Sequence, residues 1–188
     1  MERNDDEAIA DSVKVILLLH SLILSFGGIP LLYYGDELGT LNDDSYLNDP
    51  HKKEDSRWVH RPLIDWDKAE RRNTTGTVEY AIFSALKRMI SVRKEIDVFA
   101  DFNNRELIDV ENEHLFVYER FDINRHSERV LVVANFDAKP QHLNLDDVSG
   151  WGNLQYAQLI DLYTGQRPDV FKKALIVPPF SFYWLQER

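Results

Sequence analysis

The apolar positions from about Asp6 to Ser25 recur at helical spacing, and between Val13 and Leu24 they surround the helix on nearly all sides. This pattern predicts a helix, opened by Asp5 or Asp6, whose acidic start suits the positive end of the helix dipole. Gly27-Gly28 stops it. An all-round apolar helix should be covered by neighbouring elements. Ile29 to Tyr34 is then apolar on both faces, which predicts a buried strand of a parallel sheet. That strand empties into an acidic loop at Gly35-Asp36-Glu37. From Gly35 to Thr77 no period holds, and the stretch is rich in Asp, Asn, Trp, His and Arg. Its aromatic residues Tyr46, Trp58 and Trp66 argue against disorder, so the long loop reads as functional. A helical period returns over Thr77 to Glu95, where Tyr80, Phe83, Leu86, Met89 (or Ile90) and Arg93 lie three or four apart. Thr77 is its expected cap.

Beyond about Phe99 the period changes to that of strands. These are expected at Glu106–Val110, His114–Phe121, Arg129–Asn135, Gln141–Leu145, Gln158–Asp161 and Ala174–Leu185. Asn112, Asn124, Asp137, Pro140, Gly150, Gly152, Gly165 and Pro168 punctuate them. Short strands at this spacing predict an antiparallel sandwich.

Bulk properties narrow the function classes. At 188 residues with a formal net charge of −10, general binding to nucleic acid or to an anionic membrane is not expected. No cysteine is present, which excludes disulfides and thiolate metal sites and fits a cytoplasmic protein. Met1 to Glu7 is polar and acidic, unlike a signal peptide. The apolar run Val13–Phe26, which includes Lys14 and His20, reads as a buried helix too short to span a bilayer.

Several motifs carry a family likeness. Gly28-Ile29-Pro30-Leu31-Leu32-Tyr33-Tyr34-Gly35-Asp36-Glu37 is followed by Gly39-Thr40-Leu41-Asn42-Asp43 and then by Asp55-Ser56-Arg57-Trp58-Val59-His60-Arg61-Pro62. Later come Leu131-Val132-Val133-Ala134-Asn135-Phe136, Asp161-Leu162-Tyr163-Thr164-Gly165 and Pro178-Pro179-Phe180-Ser181-Phe182-Tyr183-Trp184-Leu185. With these, nearly the whole chain resembles the C-terminal part of an enzyme of the α-amylase superfamily, glycoside hydrolase family 13, and most closely an amylosucrase. The resemblance implies an α/β plus all-β fold. Residues 1–98 would be the last part of a (β/α)8 TIM barrel, and residues 99–188 a C-terminal antiparallel β-sandwich.

It also implies chemistry. Family members use an Asp nucleophile, a Glu acid/base and a third Asp in a His-Asp pair, all on barrel segments upstream of these motifs. No His-Asp pair occurs in this chain. The resemblance therefore implies a fragment with no catalytic residue of its own and no activity in isolation. The parent enzyme would transfer the glucosyl group of sucrose to an α-glucan, with hydrolysis as a side reaction, and needs no cofactor. Related sucrose hydrolases, trehalose synthases and α-glucosidases carry similar loops. The alternative function is a non-catalytic carbohydrate-binding or structural module.

Arg61 and Arg57 are the leading substrate-side candidates, because a guanidinium fork holds a carboxylate bidentately. In the family an Arg of this loop closes the pocket behind the glucosyl ring by pairing with an upstream Asp. Arg61, just before Pro62, matches best; the bland reading is a surface arginine paired with Asp55 or Glu54. Trp58 and His60 could meet a sugar, while Trp58 and Trp66 read more simply as packing. Asp36 and Glu37, adjacent on an extended chain, point apart and are expected to support the loop rather than catalyse. Asp43, Asp44 and Asp49 lack the spacing of a calcium loop, so no metal is expected. Lys87-Arg88 and Arg93-Lys94 read as a solvated helix face. An apolar helix and strand left uncovered would promote self-association through the exposed barrel edge.

Overall fold

A computed structural model of the chain describes residues 6–124, 128–148, 150–151 and 158–187. The alternative cap Asp5 and the expected turn residue Gly152 lie outside them. The helices are α1 (Asp6–Ser25), α2 (Trp66–Glu70) and α3 (Val78–Lys94). The strands are β1 (Arg105–Ile108), β2 (Leu115–Phe121), β3 (Arg129–Asn135), β4 (Gln141–Asn144), β5 (Leu159–Asp161), β6 (Val170–Phe171), β7 (Ala174–Val177) and β8 (Phe182–Glu187). The chain forms two compact units, Met1–Leu31 with Lys87–Arg188, and Leu32–Leu86. This division differs from the expected boundary at 98/99, because α1 packs on the sheet and so joins the sandwich.

In the larger unit five antiparallel strands run in the order β1-β2-β3-β8-β5, and three run in the order β4-β7-β6. The alternation of side chains sorts the faces. Leu115, Val117, Leu131, Val133, Leu159 and Leu185 point from the larger sheet into one core with Leu143, Leu175 and Val177 of the smaller sheet. Each such fully buried aliphatic contributes roughly 1.5–3 kcal/mol. The expected strand Ala174–Leu185 is two strands in different sheets. Pro178 has no N–H to donate and Phe180 has a positive φ of 47°, so the chain turns there and crosses over.

The other face of the larger sheet carries Tyr118, Arg120 and Trp184. Trp184 meets Phe99 edge-on, with ring centroids 5.1 Å apart. α1 lies over this face: Ser25 Oγ donates to Ser21 O at 2.6 Å and accepts from the Tyr118 hydroxyl at 2.6 Å. α1 spans the predicted residues, but it is not covered on all sides. Leu18, His20, Ser21, Leu24 and Ser25 are buried, while Ile9, Leu19 and Ile23 are exposed. By length and composition α1 is also apolar enough to cross a membrane, which the shorter run Val13–Phe26 was not expected to do. The side of α1 that packs on the sheet, near Tyr118, is the buried one.

Three arginines hold the end of α1, whose terminal carbonyls have no helical partners. Arg93 donates to Leu24 O, to Phe99 O at 2.9 Å and to Gly28 O at 2.8 Å. Arg105 donates to Phe26 O at 2.8 Å and lies over the Phe26 ring. Arg120, fully buried, donates to Ser25 O, to Asp101 O at 2.7 Å and to Asn104. Burial pulls the Arg120 guanidinium down to about 10. The solvated-face reading of α3 is thereby corrected for Arg93. Arg88 is exposed, as that reading expects, and also donates to Tyr163 O at 2.9 Å and Thr164 O at 3.1 Å. Long guanidinium side chains reach carbonyls that a helical wheel cannot foresee.

Ile29–Tyr34 is not a strand. It has no ladder partner among the described residues, and Ile29 and Leu31 are 91% and 83% exposed. A parallel strand buried on both faces needs a neighbour on each side, and the described residues supply none. No barrel strand is therefore formed here.

Candidate functional site

The candidate residues all fall in the smaller unit, Leu32–Leu86. Its first turn is set by glycine. Gly35 and Gly39 have φ of 93° and 61° and flank a 310 turn at Asp36–Leu38. A Cβ on Gly39 would sit 2.7 Å from Ile82 Cδ1. Glu37 Oε2 accepts the Gly35 N–H at 2.8 Å, which anchors the loop base. Asp36 begins the 310 turn, and its carbonyl accepts the Gly39 N–H at 3.1 Å.

Beyond Thr40 the loop is ordered by aspartates that cap their own turns. Asp43 accepts from Ser45 N at 2.8 Å, Asp49 from His51 N at 2.9 Å and Asp55 from Arg57 N at 3.1 Å. Asp65 then caps α2 by accepting from Lys68 N at 3.0 Å. A short carboxylate that bonds the backbone two residues on replaces the ladder the segment lacks. Thr77 caps α3 as expected, accepting from Tyr80 N at 3.2 Å.

These turns enclose a cleft of about 480 Å³, lined chiefly by Asp43, Tyr46, Asp49, Lys52, Trp58 and Arg61. Trp58, half-buried, forms a wall. Lys52 Nζ lies 4.8 Å and the Arg61 guanidinium 5.7 Å from its ring centroid, both favourable cation–π positions. Lys52 also stands 3.5 Å from Asp49 Oδ2. The hydrogen bond from Ser45 holds the Asp43 carboxyl below its ordinary range, with Lys52 adding to it. The cleft therefore offers an apolar ring, ionised acceptors and cationic donors together.

Of the predicted residues, Arg61 and Trp58 come together in this cleft. Arg57 and His60 do not line it. Arg57 donates bidentately to Asp55 at 2.8 Å through both Nε and Nη2, and this bond holds the Asp55 carboxyl at about 2. His60 Nδ1 lies 3.0 Å from Asn42 Oδ1. Trp66, expected to pack, is exposed. Among the described residues, no three His, Asp or Glu side chains gather as a metal site. Sequence reading missed Tyr46 and Lys52 as lining residues. The six-residue spacing of Asp43, Asp49 and Asp55 was the signal that these turns are built alike.

Comparison with known proteins adds to this geometry. Residues 105–184 match the family model of the maltogenic amylase C-terminal domain. Glucosylglycerate phosphorylase of Escherichia coli K12 is 27% identical over 79% of this chain and 25% of its own length. The trehalose synthase/amylase of Mycolicibacterium smegmatis is 27% identical over 92% of this chain and 33% of its own. The chain is thus similar to these enzymes over most of its own length and a minor part of theirs.

Solved structures agree in fold. Pullulanase from Anoxybacillus, complexed with maltotriose, superposes with a TM-score of 0.61 at 15% identity, over 95% of this chain and 23% of its own. Trehalose-6-phosphate hydrolase of Bacillus licheniformis gives 0.59 at 22% identity, over 93% and 39%. At these identities the likeness is one of fold. The chain spans a quarter to a third of the length of these two curated relatives.

Proposed function

We propose that the chain is the C-terminal portion of a retaining α-glucoside-active enzyme, in which residues 1–98 complete a (β/α)8 barrel and residues 99–188 are its sandwich. The observation that carries this reading is the match of 105–184 to a maltogenic amylase C-terminal domain, on the same strands that build the observed sandwich. The reaction is double displacement. A carboxylate displaces the leaving sugar to give a covalent glucosyl-enzyme while an acid protonates the departing oxygen. An acceptor hydroxyl then reverses the step with net retention. By resemblance those carboxylates belong to preceding barrel strands, and this chain contributes substrate-side groups, Arg61 and Trp58 before Arg57 and His60. Asp36 and Glu37 support the loop base.

The amylosucrase type, with sucrose as donor and an α-glucan as acceptor, is favoured by Gly39-Thr40-Leu41-Asn42-Asp43 and Ser56-Arg57-Trp58-Val59-His60-Arg61-Pro62. A trehalose synthase type is the second reading, favoured by the similarity to the mycobacterial enzyme. Incubation with sucrose and with maltose separates them. A polypeptide joining this chain to a preceding barrel should release fructose from sucrose. Conversion of maltose to trehalose without fructose release supports the second type. The chain alone should release nothing, and sugar release by the chain alone overturns the assignment of catalysis to preceding strands.

A further inference from the structure

We infer that the free edge of β1 is a docking site for an extended segment of another polypeptide, paired antiparallel and carrying a basic side chain opposite Glu106. This surface lies wholly in the larger unit and does not depend on the carbohydrate reading above. β1 ends the five-stranded sheet and has β2 on one side only. Asn104 O accepts the N–H of Phe121, the residue opposite it, at 3.2 Å. Bonded pairs alternate along an antiparallel ladder, so Glu106 and Ile108 bond towards β2. The N–H and C=O groups of Arg105 and Leu107 then point away from the sheet, where they have no partner among the described residues. Unpaired edge groups of this kind are a template for strand addition.

The side chains beside the edge select what is added. Glu106 lies directly opposite Glu119 on β2, and the two share a face with Ile108. Like charges so placed disfavour the ladder, and a cation beside them relieves it. Glu119 is met in part: Arg129 Nη1 stands 3.5 Å away and Trp151 Nε1 donates to it at 3.1 Å. Glu106 is exposed and has no ion-pair partner among the described residues. Beside β1 opens a groove of about 430 Å³, lined by the carboxylates of Glu106, Asp109, Glu119 and Asp147 and by the single guanidinium of Arg129. Charge at an edge repels an apolar strand. The same charge admits a strand whose lysine or arginine enters the groove. The neighbours of that basic residue fall on the opposite face, beside Leu107, which is 60% exposed, and apolar side chains suit them. A second copy of this chain fits badly, because its β1 would bring Glu106 and Asp109 against a groove that is already acidic.

The test is titration of the whole chain with the probe acetyl-Thr-Val-Arg-Val-Thr-amide, followed by amide NMR. The probe should bind in the millimolar range, shift the amides of Arg105 and Leu107, and weaken as salt is added. The same probe with glutamate at its centre should not bind. Methylating the N–H groups of the two valines, which meet the C=O groups of Arg105 and Leu107, should abolish binding with the charge unchanged. Glu106→Lys, at an exposed position, should weaken the arginine probe about fivefold or more and admit the glutamate one. No saturable binding of the arginine probe, equal binding of both probes, unchanged affinity after methylation, or shifts centred away from β1 overturns the inference. Shifts of the β1 amides when the chain alone is concentrated assign the edge to a second copy, and overturn it also.

Discussion

Three buried polar side chains show what the residue scale decides. Arg120 meets no carboxylate within ion-pair distance among the described residues and is satisfied by carbonyls instead, an arrangement that binds the end of α1 to the sheet. Asn135 donates to Lys139 O, Val177 O and Pro178 O and accepts from Asp137 N, so it pins the crossing between the sheets. Asp161 accepts the N–H groups of Tyr163, Thr164 and Trp184. The last two sit inside motifs that the sequence displays openly. Arg120 does not, because nothing in a strand pattern says that a charge will point inward. In the loop, by contrast, the charges lie at the surface and can be tested by pH. The Asp55 carboxyl sits at about 2, chiefly through the Arg57 side chain and then its backbone N–H. A folded value below the unfolded one stabilises the turn at pH above the ordinary carboxylate value and is lost as pH falls towards 2. NMR should therefore show the Arg57 Nε and amide signals moving together with a midpoint near 2. Asp55→Asn should hold the amide signal while releasing Nε at every pH. A midpoint at the ordinary carboxylate value would rule the ion pair out.

At the scale of elements, periodicity was a good guide where an element packs within the chain. α1, α3 and β3 follow their apolar spacing closely. Ile29–Tyr34 fails for the opposite reason: its pattern describes burial on both faces, and burial depends on neighbours that a local pattern cannot supply. The candidate loop was legible as functional but not as structure, since turns capped by aspartate leave no hydrophobic period. The joint between α1 and this segment was only half legible. Gly27-Gly28 was expected as a helix stop, and Gly27 does adopt φ of 115°. Less visible is that a Cβ there would sit 2.7 Å from Asp101 O and 3.0 Å from Arg120 Nη1. Backbone cannot retreat as a flexible side chain can. Gly27→Ala should destabilise the chain by about 2–4 kcal/mol, combining the left-handed strain with a displaced Arg120. Urea unfolding measures this, and a loss below about 1 kcal/mol would mean that Arg120 is not fixed by this joint.

At the scale of the whole molecule, α1 turns Ser21 and Ser25 inward together with Leu18 and Leu24, and leaves a second apolar arc outward. At 3.6 residues per turn, Ile9, Leu19 and Ile23 share one arc, opposite Ser21 and Ser25. Ile29 and Leu31, just beyond, are nearly fully exposed. An apolar arc left to water on a helix is a surface that association can cover. The chain in isolation should therefore self-associate, and light scattering at micromolar concentration should report more than a monomer. Leu19→Lys with Ile23→Lys should restore the monomer, because both side chains are already exposed and their loss costs the α1–sheet contact nothing. Ser21→Leu, on the buried side, should instead lower the unfolding midpoint, by removing the Ser21 hydroxyl and overfilling the contact. A wild-type chain that stays monomeric, with the double variant no different, would remove the argument that this face is made to be covered by further polypeptide. The (β/α)8 reading of residues 1–98 would then rest on motif likeness alone.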